Sequence, residues 1–562
     1  MRKMLRFVPI ILCFSIFLSS CSSTDSNTKY ISKDAIGVLS INTTQLAKKV
    51  AINAISGSPI FQDMLKKAGS DTTALDIEKT GIDPLNVFYI YGLADKRLSG
   101  KSKFMMIIPL KNATNFKAFI KEKFPEAVFS QKGKLNFVKF NTNICMGWDE
   151  KTAIASAATP NYDEWNSLPS AAPVDMVTIM TEDIEKTFSL DKEQSLANNP
   201  KFATLQKENH DISFWLNYEG FINGMPQEQV GTAGMILASQ KNLLKDIYVA
   251  GGLDFEKGKI VSDATYYFNP AIKGISEALE PKSINNDLLK RVPGQQMNLM
   301  MSYHFNPKGL IKVLETMNVL PLAVSGLKEY GLTLDDVTKA FTGDFLLAVT
   351  DFSVASESKS YTMNGVSINQ TAPVPSFKAS LSFKINDKPS FDKIMQLVVN
   401  NELMSNPTPG VYTLSSFATL VTNGEYAAVS NDAAVASAFM QPGNSKFDVP
   451  SDVKNQPYGF YADIKNSVKS IPLDLIYGKE DTAVFHDGRL LLESINAYGG
   501  KLEGDHTKFH FEILFQDKGE NSLMQLIKFS QKIAEAEMKQ PDSIDEVIPQ
   551  DESEEADSAL AI

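Results

Sequence analysis

Residues 508–515 read Lys-Phe-His-Phe-Glu-Ile-Leu-Phe, and every second residue of this stretch is apolar, from Phe509 to Phe515. Alternation of this kind predicts a half-buried strand of an antiparallel sheet. The stretch follows Gly499-Gly500, and the same arrangement occurs earlier in the chain, where Gly251-Gly252 precedes the alternating Ala264, Tyr266 and Phe268. The two stretches indicate one structural pattern used twice.

Three further pairs of segments match in the same order along the chain. Each pair predicts a strand that leads into a helix or a helix-capping residue. The pairs are 38–42 with 302–306, 106–110 with 381–385, and 214–217 with 460–463. Repetition of one order of elements predicts an internal duplication.

The duplication places a first copy at residues 30–280 and a second at 292–536, joined by a linker at 281–291. Asn-Gly pairs at 364–365 and 423–424 predict β-hairpins between neighbouring strands. The predicted fold class is α+β: two tandem related domains, each with a mainly antiparallel sheet and packed helices.

Insertions distinguish the two copies. The first copy has a polar, partly helical insertion at 159–209, and the second has an insertion at 353–375 that carries the Asn364-Gly365 hairpin. Loops on a shared scaffold often carry binding residues, and these two segments are candidates. Tolerated surface elaboration is the alternative for both.

The amino terminus has the layout of an export signal. Arg2, Lys3 and Arg6 precede the apolar stretch 7–18, and Leu18-Ser19-Ser20 stands before Cys21. About twelve apolar residues rise about 18 Å as a helix, too short for a hydrocarbon core of about 30 Å. We therefore predict that residues 1–20 are removed and that Cys21 becomes the lipidated first residue, an anchor to the membrane.

Both ends of the remaining chain are polar. Residues 21–29 are predicted to form a tether, and residues 541–562, with eight acidic and no basic residues, a disordered tail. After signal removal only Cys21 and Cys145 remain, so the body forms no internal disulfide, and Cys145 in an apolar run is expected to be buried.

Charge and motifs exclude several functions. The formal charge of −11 leaves no basic patch strong enough for duplex nucleic acid. Five histidines are few for a metal or acid–base enzyme, and neither a zinc-binding His-Glu-x-x-His nor a Gly-x-Ser-x-Gly nucleophile motif occurs. We expect no cofactor, no metal and no catalytic constellation.

Glycan binding directs attention to two tryptophans. Carbohydrate sites favour exposed flat rings, and Trp148, in a predicted hairpin turn, and Trp165, in a polar stretch, are the candidate ligand-binding residues. Packing in the core or at its rim is the alternative for each.

The signal layout, the opening Tyr30-Ile31-Ser32-Lys33-Asp34-Ala35 and the duplicated body together resemble an uncharacterised family of large Bacteroidetes lipoproteins, a domain of unknown function. Members tend to carry proline where this chain has Ser32. The resemblance implies an envelope location and no established activity. Surface display in that lineage is associated with acidic residues after the cysteine; only Asp25 follows Cys21 here, which favours the periplasmic face of the outer membrane.

The leading hypothesis is a non-enzymatic binding or structural module of the cell envelope, tethered by lipid and bound to an envelope protein or polymer. A duplicated fold presents two related surfaces or a groove between them, which suits binding. Two alternatives remain. One is a hydrolase of glycan or peptide that uses a pair of carboxylates with opposed pKa shifts, and the other is a periplasmic carrier or chaperone for apolar ligands.

Overall fold

The computed structural model describes residues 26–50, 77–94, 102–141, 143–158, 176–224, 241–363, 366–414, 417–443, 445, 447–473 and 479–539. Its twenty strands are hydrogen bonded into one sheet, and every pairing in that sheet is antiparallel. The α+β class and the antiparallel sheet are therefore confirmed. The division into two domains stays a prediction, because strands of both copies belong to the same sheet.

The strands are β1 Gly37–Asn42, β2 Val87–Ala94, β3 Ser102–Pro109, β4 Val128–Lys132, β5 Leu135–Asn141, β6 Ile144–Trp148, β7 Thr152–Ala158, β8 Ile212–Asn217, β9 Tyr248–Glu256, β10 Lys259–Tyr267, β11 Met297–His304, β12 Phe341–Met363, β13 Val366–Ile385, β14 Ser405–Thr408, β15 Val411–Leu414, β16 Ala418–Thr422, β17 Tyr426–Ser430, β18 Tyr458–Asp463, β19 Leu492–Glu503 and β20 His506–Phe515.

The helices are α1 Thr43–Lys49, α2 Ile77–Thr80, α3 Ala113–Lys123, α4 Met176–Phe188, α5 Pro200–Glu208, α6 Tyr218–Gly224, α7 Lys241–Leu244, α8 Pro270–Leu279, α9 Asn286–Arg291, α10 Gly309–Thr316, α11 Leu320–Glu329, α12 Leu334–Ala340, α13 Lys388–Asn400, α14 Ala433–Phe439, α15 Ser451–Lys454, α16 Ile464–Lys469, α17 Lys479–Arg489 and α18 Ser522–Lys539. Short 3-10 helices lie at Ser26–Tyr30, Lys192–Gln194 and Leu196–Asn198.

The two halves of the sheet have the same strand order when each is followed inward from its outer edge. The first half runs β4-β5-β6-β7-β3-β2-β1-β8-β9-β10, and the second continues β20-β19-β18-β11-β12-β13-β17-β16-β15-β14. Adding ten to the number of any strand in the first half gives its counterpart in the second. The four pairs of segments matched in the sequence all lie on such counterpart strands.

The register of the sheet refines the sequence matches. Leu39 lies between Ile90 and Phe214, and Met301 lies between Leu347 and Phe460. The match of 106–110 with 381–385 and the match of 214–217 with 460–463 therefore share one register, in which Leu39 corresponds to Met301. The match of 38–42 with 302–306 and the match of the two glycine pairs are displaced from it by two residues. Such a displacement keeps each residue on the same face of its strand, because side chains alternate.

In the shared register, Asp263 of β10 corresponds to His510 of β20, and the same two residues lie directly opposite each other where the halves meet. A pseudo-twofold axis therefore passes between Asp263 and His510. We call the β10–β20 pairing the seam.

Local signals explain where several helices begin. The Asn42 side chain accepts a hydrogen bond from Gln45 N–H at the start of α1, and Asp463 accepts one from Asn466 N–H at the start of α16, as the sequence predicts. Asn306 was also predicted to cap a helix, but α10 begins three residues later, and the Asn306 side chain instead accepts from Lys308 N–H.

Apolar clusters lie on both faces of the sheet. On the first face, which carries Tyr91, Met105 and Met300, one cluster packs under α4 and α5, and another packs under α9, α14 and α15. On the second face, which carries Leu39, Met106 and Met301, separate clusters pack under α3, under α12 and α13, and under α1 and α18. Together the helices cover the outer parts of the first face of the sheet but only some regions of the second face.

Three sequence predictions need correction. Residues 26–30 form a 3-10 helix in which Asn27 is buried, so the free tether is shorter than 21–29. Residues 286–291, assigned to the linker, form α9, whose leucines enter the core of the second half. His486 lies within α17 and not in the turn that the adjoining Asp487-Gly488 pair predicts, and Gly488 lies close to the Phe529 ring of α18.

Other predictions are confirmed or fall outside the described part. The Asn423-Gly424 turn joins β16 to β17, and the insertion at 353–375 forms a hairpin that pairs as far as Met363 and Val366. Residues 1–25, 159–175 and 540–562, which include Cys21, Trp165 and the acidic tail, lie outside the described residues.

Among the described helices, none alone is long and apolar enough to cross a membrane. Gly309–Thr316 and Leu320–Glu329, bent by 119°, reach the length and composition limits only as a pair.

Candidate functional site

The second face of the sheet carries an uninterrupted row of apolar side chains, one from each successive strand. We call it the apolar row. It consists of Met106, Ile90, Leu39 and Phe214 in the first half and of Phe460, Met301, Leu347 and Leu381 in the second half. Near the seam it continues through Gly251 and Ala264 to Phe509, and through Ala497 to Phe511.

Four residues of the apolar row are exposed to solvent, whereas Met106, Ile90, Phe214, Phe460 and Leu347 are half-buried. Leu39 is 38% exposed, Met301 40%, Leu381 41% and Phe511 38%. Their neighbours on the opposite face are buried: Met300, for example, is 0% exposed. The strands therefore have one closed apolar face and one open apolar face.

An open apolar face is unusual for an antiparallel sheet, whose solvated face normally carries polar residues. Single exposed apolar residues need no explanation, but a contiguous exposed patch marks a surface of interaction. The flanking strand residues Phe104 and Tyr303 are also exposed, at 48% and 41%, and widen the row at two places.

The duplication provides an internal test of whether the row is accidental. Four pairs of equivalent positions are apolar in both halves: Leu39 with Met301, Ile90 with Leu347, Met106 with Leu381, and Phe214 with Phe460. The residue types differ at three of the four pairs, but each residue is apolar. The open face therefore has the same apolar character in both halves.

The row is long. It extends from β3 to β13 and crosses twelve strands, which at about 4.8 Å per strand spacing corresponds to roughly 50 Å. A drug-sized ligand would cover only a fraction of this length. A strip of this length that is two residues wide has an area of several hundred Å². This area approaches the roughly 800 Å² that each partner contributes to a standard protein interface.

The first face carries a polar cluster at the seam, between the two helix-covered wings. His510 Nδ1 lies 2.8 Å from Asp263 Oδ1, and His510 Nε2 lies 3.2 Å from Glu512 Oε1. The His510 ring also packs against Tyr498, with ring centroids 4.8 Å apart. Close by, the His210 ring lies over Gly252, and its Nδ1 is 2.7 Å from Asp254 Oδ2.

These contacts shift the pKa values in a consistent way. The hydrogen bond to Asp263 raises the pKa of His510, and the same bond lowers the pKa of Asp263. Burial opposes the effect at Glu512, but its hydrogen bonds to His510 and Asn496 still lower its pKa. Burial likewise opposes the effect at His210, whose pKa is nevertheless raised by Asp254 and Glu208. The cluster is therefore a set of stabilised ion pairs.

The polar cluster lacks the features expected of a glycosidase-like carboxylate pair. Asp263 and Glu512 are both shifted towards the charged form, whereas an acid and a base need opposed shifts. The pKa of nearby Asp211 is raised by burial, but its carboxylate is held by Lys49 and by Phe255 N–H. Among the described residues, no group of three or more His, Cys, Asp and Glu side chains could hold a metal ion.

A second histidine–aspartate pair lies at the end of β11. His304 Nδ1 is 2.9 Å from Asp344 Oδ1, and Asp344 also accepts hydrogen bonds from Asn285 N–H and the Thr342 hydroxyl. Burial of Asp344 is outweighed by these partners, which lower its pKa. The carboxylate joins the residue before α9 to β11 and β12, which is a structural role.

The structure does not support Trp148 as a ligand-binding residue. Its side chain is 0% exposed and packs edge-to-face with Phe116 and Phe129, so no face of the ring can stack on a sugar. Trp148 instead belongs to the core under α3. Trp165 and Cys21 lie outside the described residues.

Cys145 is buried, as the sequence predicts, and lies 3.6 Å from the Thr181 hydroxyl. Burial raises the pKa of its thiol, which disfavours the reactive thiolate. The residues of the apolar row were not singled out as a site from the sequence, although the alternation at 106–110 and 381–385 had placed several of them on strands.

Comparison with known proteins adds a family but no activity. A family model described as "Domain of unknown function (DUF4836)" matches residues 27–406. A comparison with curated proteins gave no match.

Two solved structures are similar to the chain. "Structure of crystal form III of TP0453" is 13% identical, covers 47% of this chain and 90% of its own, and has a TM-score of 0.25. "Structure of crystal form IV of TP0453" is 13% identical, covers 46% and 86%, and has a TM-score of 0.26. Similarity at this level carries no functional argument.

Proposed function

The chain belongs to the family described as a domain of unknown function, DUF4836. Because this description supplies no activity, we propose from the geometry that the protein is an envelope-anchored binding module. Its open sheet face holds the apolar surface of a partner protein. The observation that carries the proposal is the apolar row. It has exposed residues in both halves and is apolar at equivalent positions of the two halves.

Burial of the row explains how the partner would be held. Each Å² of apolar surface removed from water contributes about 25 cal/mol, before the cost of association. Leucine, methionine and phenylalanine dominate the row, and methionine in particular adapts to surfaces of different shape. A protein surface fits this row better than a small ligand because the row crosses twelve strands.

The proposal includes the location. The signal layout of residues 1–20 and the position of Cys21 support export and lipid attachment. Residues 21–29 contain a single acidic residue, Asp25, which supports the periplasmic face of the outer membrane. Replacing Cys21 with alanine should release the protein from the membrane fraction. If the variant still sediments with membranes, the lipid anchor is wrong.

Site-specific photo-crosslinking in cells tests the binding face. A photoreactive phenylalanine analogue is placed at Leu39, Met301 or Leu381, and at the exposed apolar residues Leu322 and Leu403 as matched controls. We expect one protein adduct that forms at all three row positions and at neither control.

Charge substitutions complete the test. Replacing Met301 and Leu381 with lysine should abolish the adduct formed at Leu39, while the same change at Leu322 and Leu403 should preserve it. Thermal unfolding of each variant establishes that the body remains folded. Adducts with lipid alone would support the carrier alternative, and adducts at the controls equal to those at the row would overturn the proposal.

A further inference from the structure

The two outer wings of the sheet carry opposite charge. Residues 110–152, which contain α3 and β4–β6 and which we call the first wing, include eight lysines and four acidic residues. The corresponding residues 385–427, the second wing, include two lysines and four acidic residues. A protein with an overall charge of −11 therefore has one basic end.

Five lysines of the second half are paired locally with carboxylates. Lys393 lies 2.7 Å from Asp336, Lys384 lies 3.2 Å from Glu425, and Lys388 pairs with Asp392. Lys339 and Lys378 also pair with aspartates. Their charges therefore form short-range pairs and attract distant anions weakly.

Within the described residues, six of the eight lysines of the first wing have no such partner, namely Lys139 of β5 and a group of five others. Within the described part of the chain, no carboxylate lies within ion-pair distance of Lys111, Lys117, Lys121, Lys134 or Lys151, which we call the lysine edge. Lys117 Nζ donates to the Asn136 side chain, and Lys121 Nζ lies 5.5 Å from the centre of the Phe129 ring. Both ammonium groups thus lie over the outer strands with their charge uncompensated.

The lysine edge occupies one region of the wing. Lys111 follows the end of β3, and Lys151 directly precedes β7. The Lys151 backbone carbonyl accepts a hydrogen bond from Leu110 N–H. Lys134 lies in the turn between β4 and β5, next to the strand that contacts Lys117. The four acidic residues of the wing offset only half of the charge of its eight lysines, and one of them, Glu122, pairs with Lys123 outside the lysine edge.

The amino-terminal segment is fixed to the same region. The Thr152 hydroxyl, one residue beyond Lys151, lies 3.3 Å from Asn27 Oδ1, and Tyr91 donates to the Tyr30 carbonyl. Ile31 is completely buried. Ser26 is five positions after Cys21, so a fully extended chain between these two residues spans at most about 18 Å.

We infer that the first wing rests on a surface of anionic lipid headgroups, with the lysine edge facing the phosphates. Charge complementarity and the short chain that leads from the docked segment to Cys21 both favour this occupant. Each lysine near an anionic bilayer contributes about a fivefold gain in binding, and the gain falls with salt. The inference rests on the proposed membrane location but concerns a different surface from the apolar row.

Vesicle sedimentation tests the inference without the lipid anchor. The chain from residue 21 with Cys21→Ala keeps every residue that the structure describes. It should bind vesicles of phosphatidylcholine with about 30% phosphatidylglycerol, bind pure phosphatidylcholine at least about tenfold more weakly, and dissociate when salt rises to about 0.5 M.

A matched pair of variants locates the charge. Replacing Lys111, Lys117, Lys134 and Lys151 with glutamine should weaken binding at least about tenfold. Replacing Lys339, Lys384, Lys388 and Lys393 with glutamine changes the net charge equally and should leave binding within about twofold, because those lysines are already paired. Circular dichroism of both variants confirms folding.

Three results would overturn the inference: no binding to anionic vesicles, equal loss in both variants, or equally tight binding to dissolved polyphosphate, which would indicate any polyanion rather than a lipid surface. None of these results bears on the crosslinks at the apolar row, so the two proposals can fail separately.

Discussion

A buried ion pair holds α4 on the first half of the sheet. Lys103 of β3 is 4% exposed and pairs with Asp183 of α4, which is 9% exposed. The equivalent lysine of the second half, Lys378, pairs with Asp351, but its side chain is 43% exposed. The equivalent lysines of the two halves therefore lie in different environments: Lys103 is buried and Lys378 is exposed to water.

Replacing Lys103 with methionine should lower the free energy of unfolding by about 3–5 kcal/mol, because Asp183 would remain buried without its counter-ion. Urea denaturation monitored by circular dichroism measures the change. The matched substitution Lys378→Met should cost no more than about 1 kcal/mol, since an exposed pair contributes little. Equal losses in the two variants would contradict the assigned difference in burial.

The histidines at the seam make stability depend on pH. The folded-state pKa values of His210 and His510 are raised above the ordinary value of 6.5, so their stabilising contribution is complete below that pH. It is lost as pH rises through the raised values. The pKa of Asp263 is lowered from 3.8, so its contribution is present above 3.8 and is lost in more acidic solution.

We therefore expect the highest stability between about pH 4 and pH 6.5 from these groups, with a decline on the alkaline side. Thermal unfolding across this range measures it. Replacing His210 and His510 together with glutamine should flatten the decline, whereas His486→Gln, at an exposed position, should preserve it. A decline of the same size in the double variant would show that other groups cause it.

At the scale of single elements, the hairpin of β12 and β13 stands out. Ser353 to Met363 pair with Ser376 to Val366, and within the described residues this part of the hairpin has no third strand. The rest of each strand, from Phe341 to Thr350 and from Lys378 to Ile385, lies inside the sheet. The outer part therefore contributes little to the core.

Deleting residues 356–373 and closing the strands with Asn-Gly should leave the melting temperature of the body within a few degrees, because only local pairing is lost. Differential scanning calorimetry measures the midpoint. Shortening the hairpin further, by removing residues 348–381, is the matched control and should prevent folding, since it removes buried Ala348 from the core of the second half. A large loss of stability in the first variant would indicate a structural role for the outer hairpin.

Local signals made most of these elements predictable from the sequence. Alternating apolar residues predicted β3, β13 and β20, and Asn423-Gly424 predicted the turn into β17. His486 was placed wrongly in a turn because Asp-Gly is a local turn signal, while the close packing of Gly488 on Phe529 is a tertiary contact. Trp148 was a candidate for the same reason, since burial under α3 cannot be read from a turn sequence.

At the scale of the whole molecule, the duplication could be predicted, but the single sheet could not. The seam depends on the pairing of β10 with β20, which lie far apart in the chain, and no local pattern specifies their register. The apolar row was missed for a related reason. Strands that are apolar on both faces look completely buried, and only the positions of the helices show that one face stays open.

The ends of the sheet have a consequence for the population of molecules on a membrane. Within the described residues, β4 and β14 each pair on one side only, and an unpaired edge is a template for a further strand. Anchored molecules diffuse in two dimensions, where the effective concentration of such edges is high. Both edge strands are short, and Pro407 removes a backbone donor from the four residues of β14.

Pro407→Thr should therefore permit end-to-end pairing and produce oligomers in analytical ultracentrifugation, whereas Pro409→Thr, in the adjoining turn, should leave the chain monomeric. If both variants stay monomeric, strand length alone is sufficient protection. If the proposed lipid anchor places the protein in a membrane plane, the short edge strands disfavour its polymerisation into fibres at high density there.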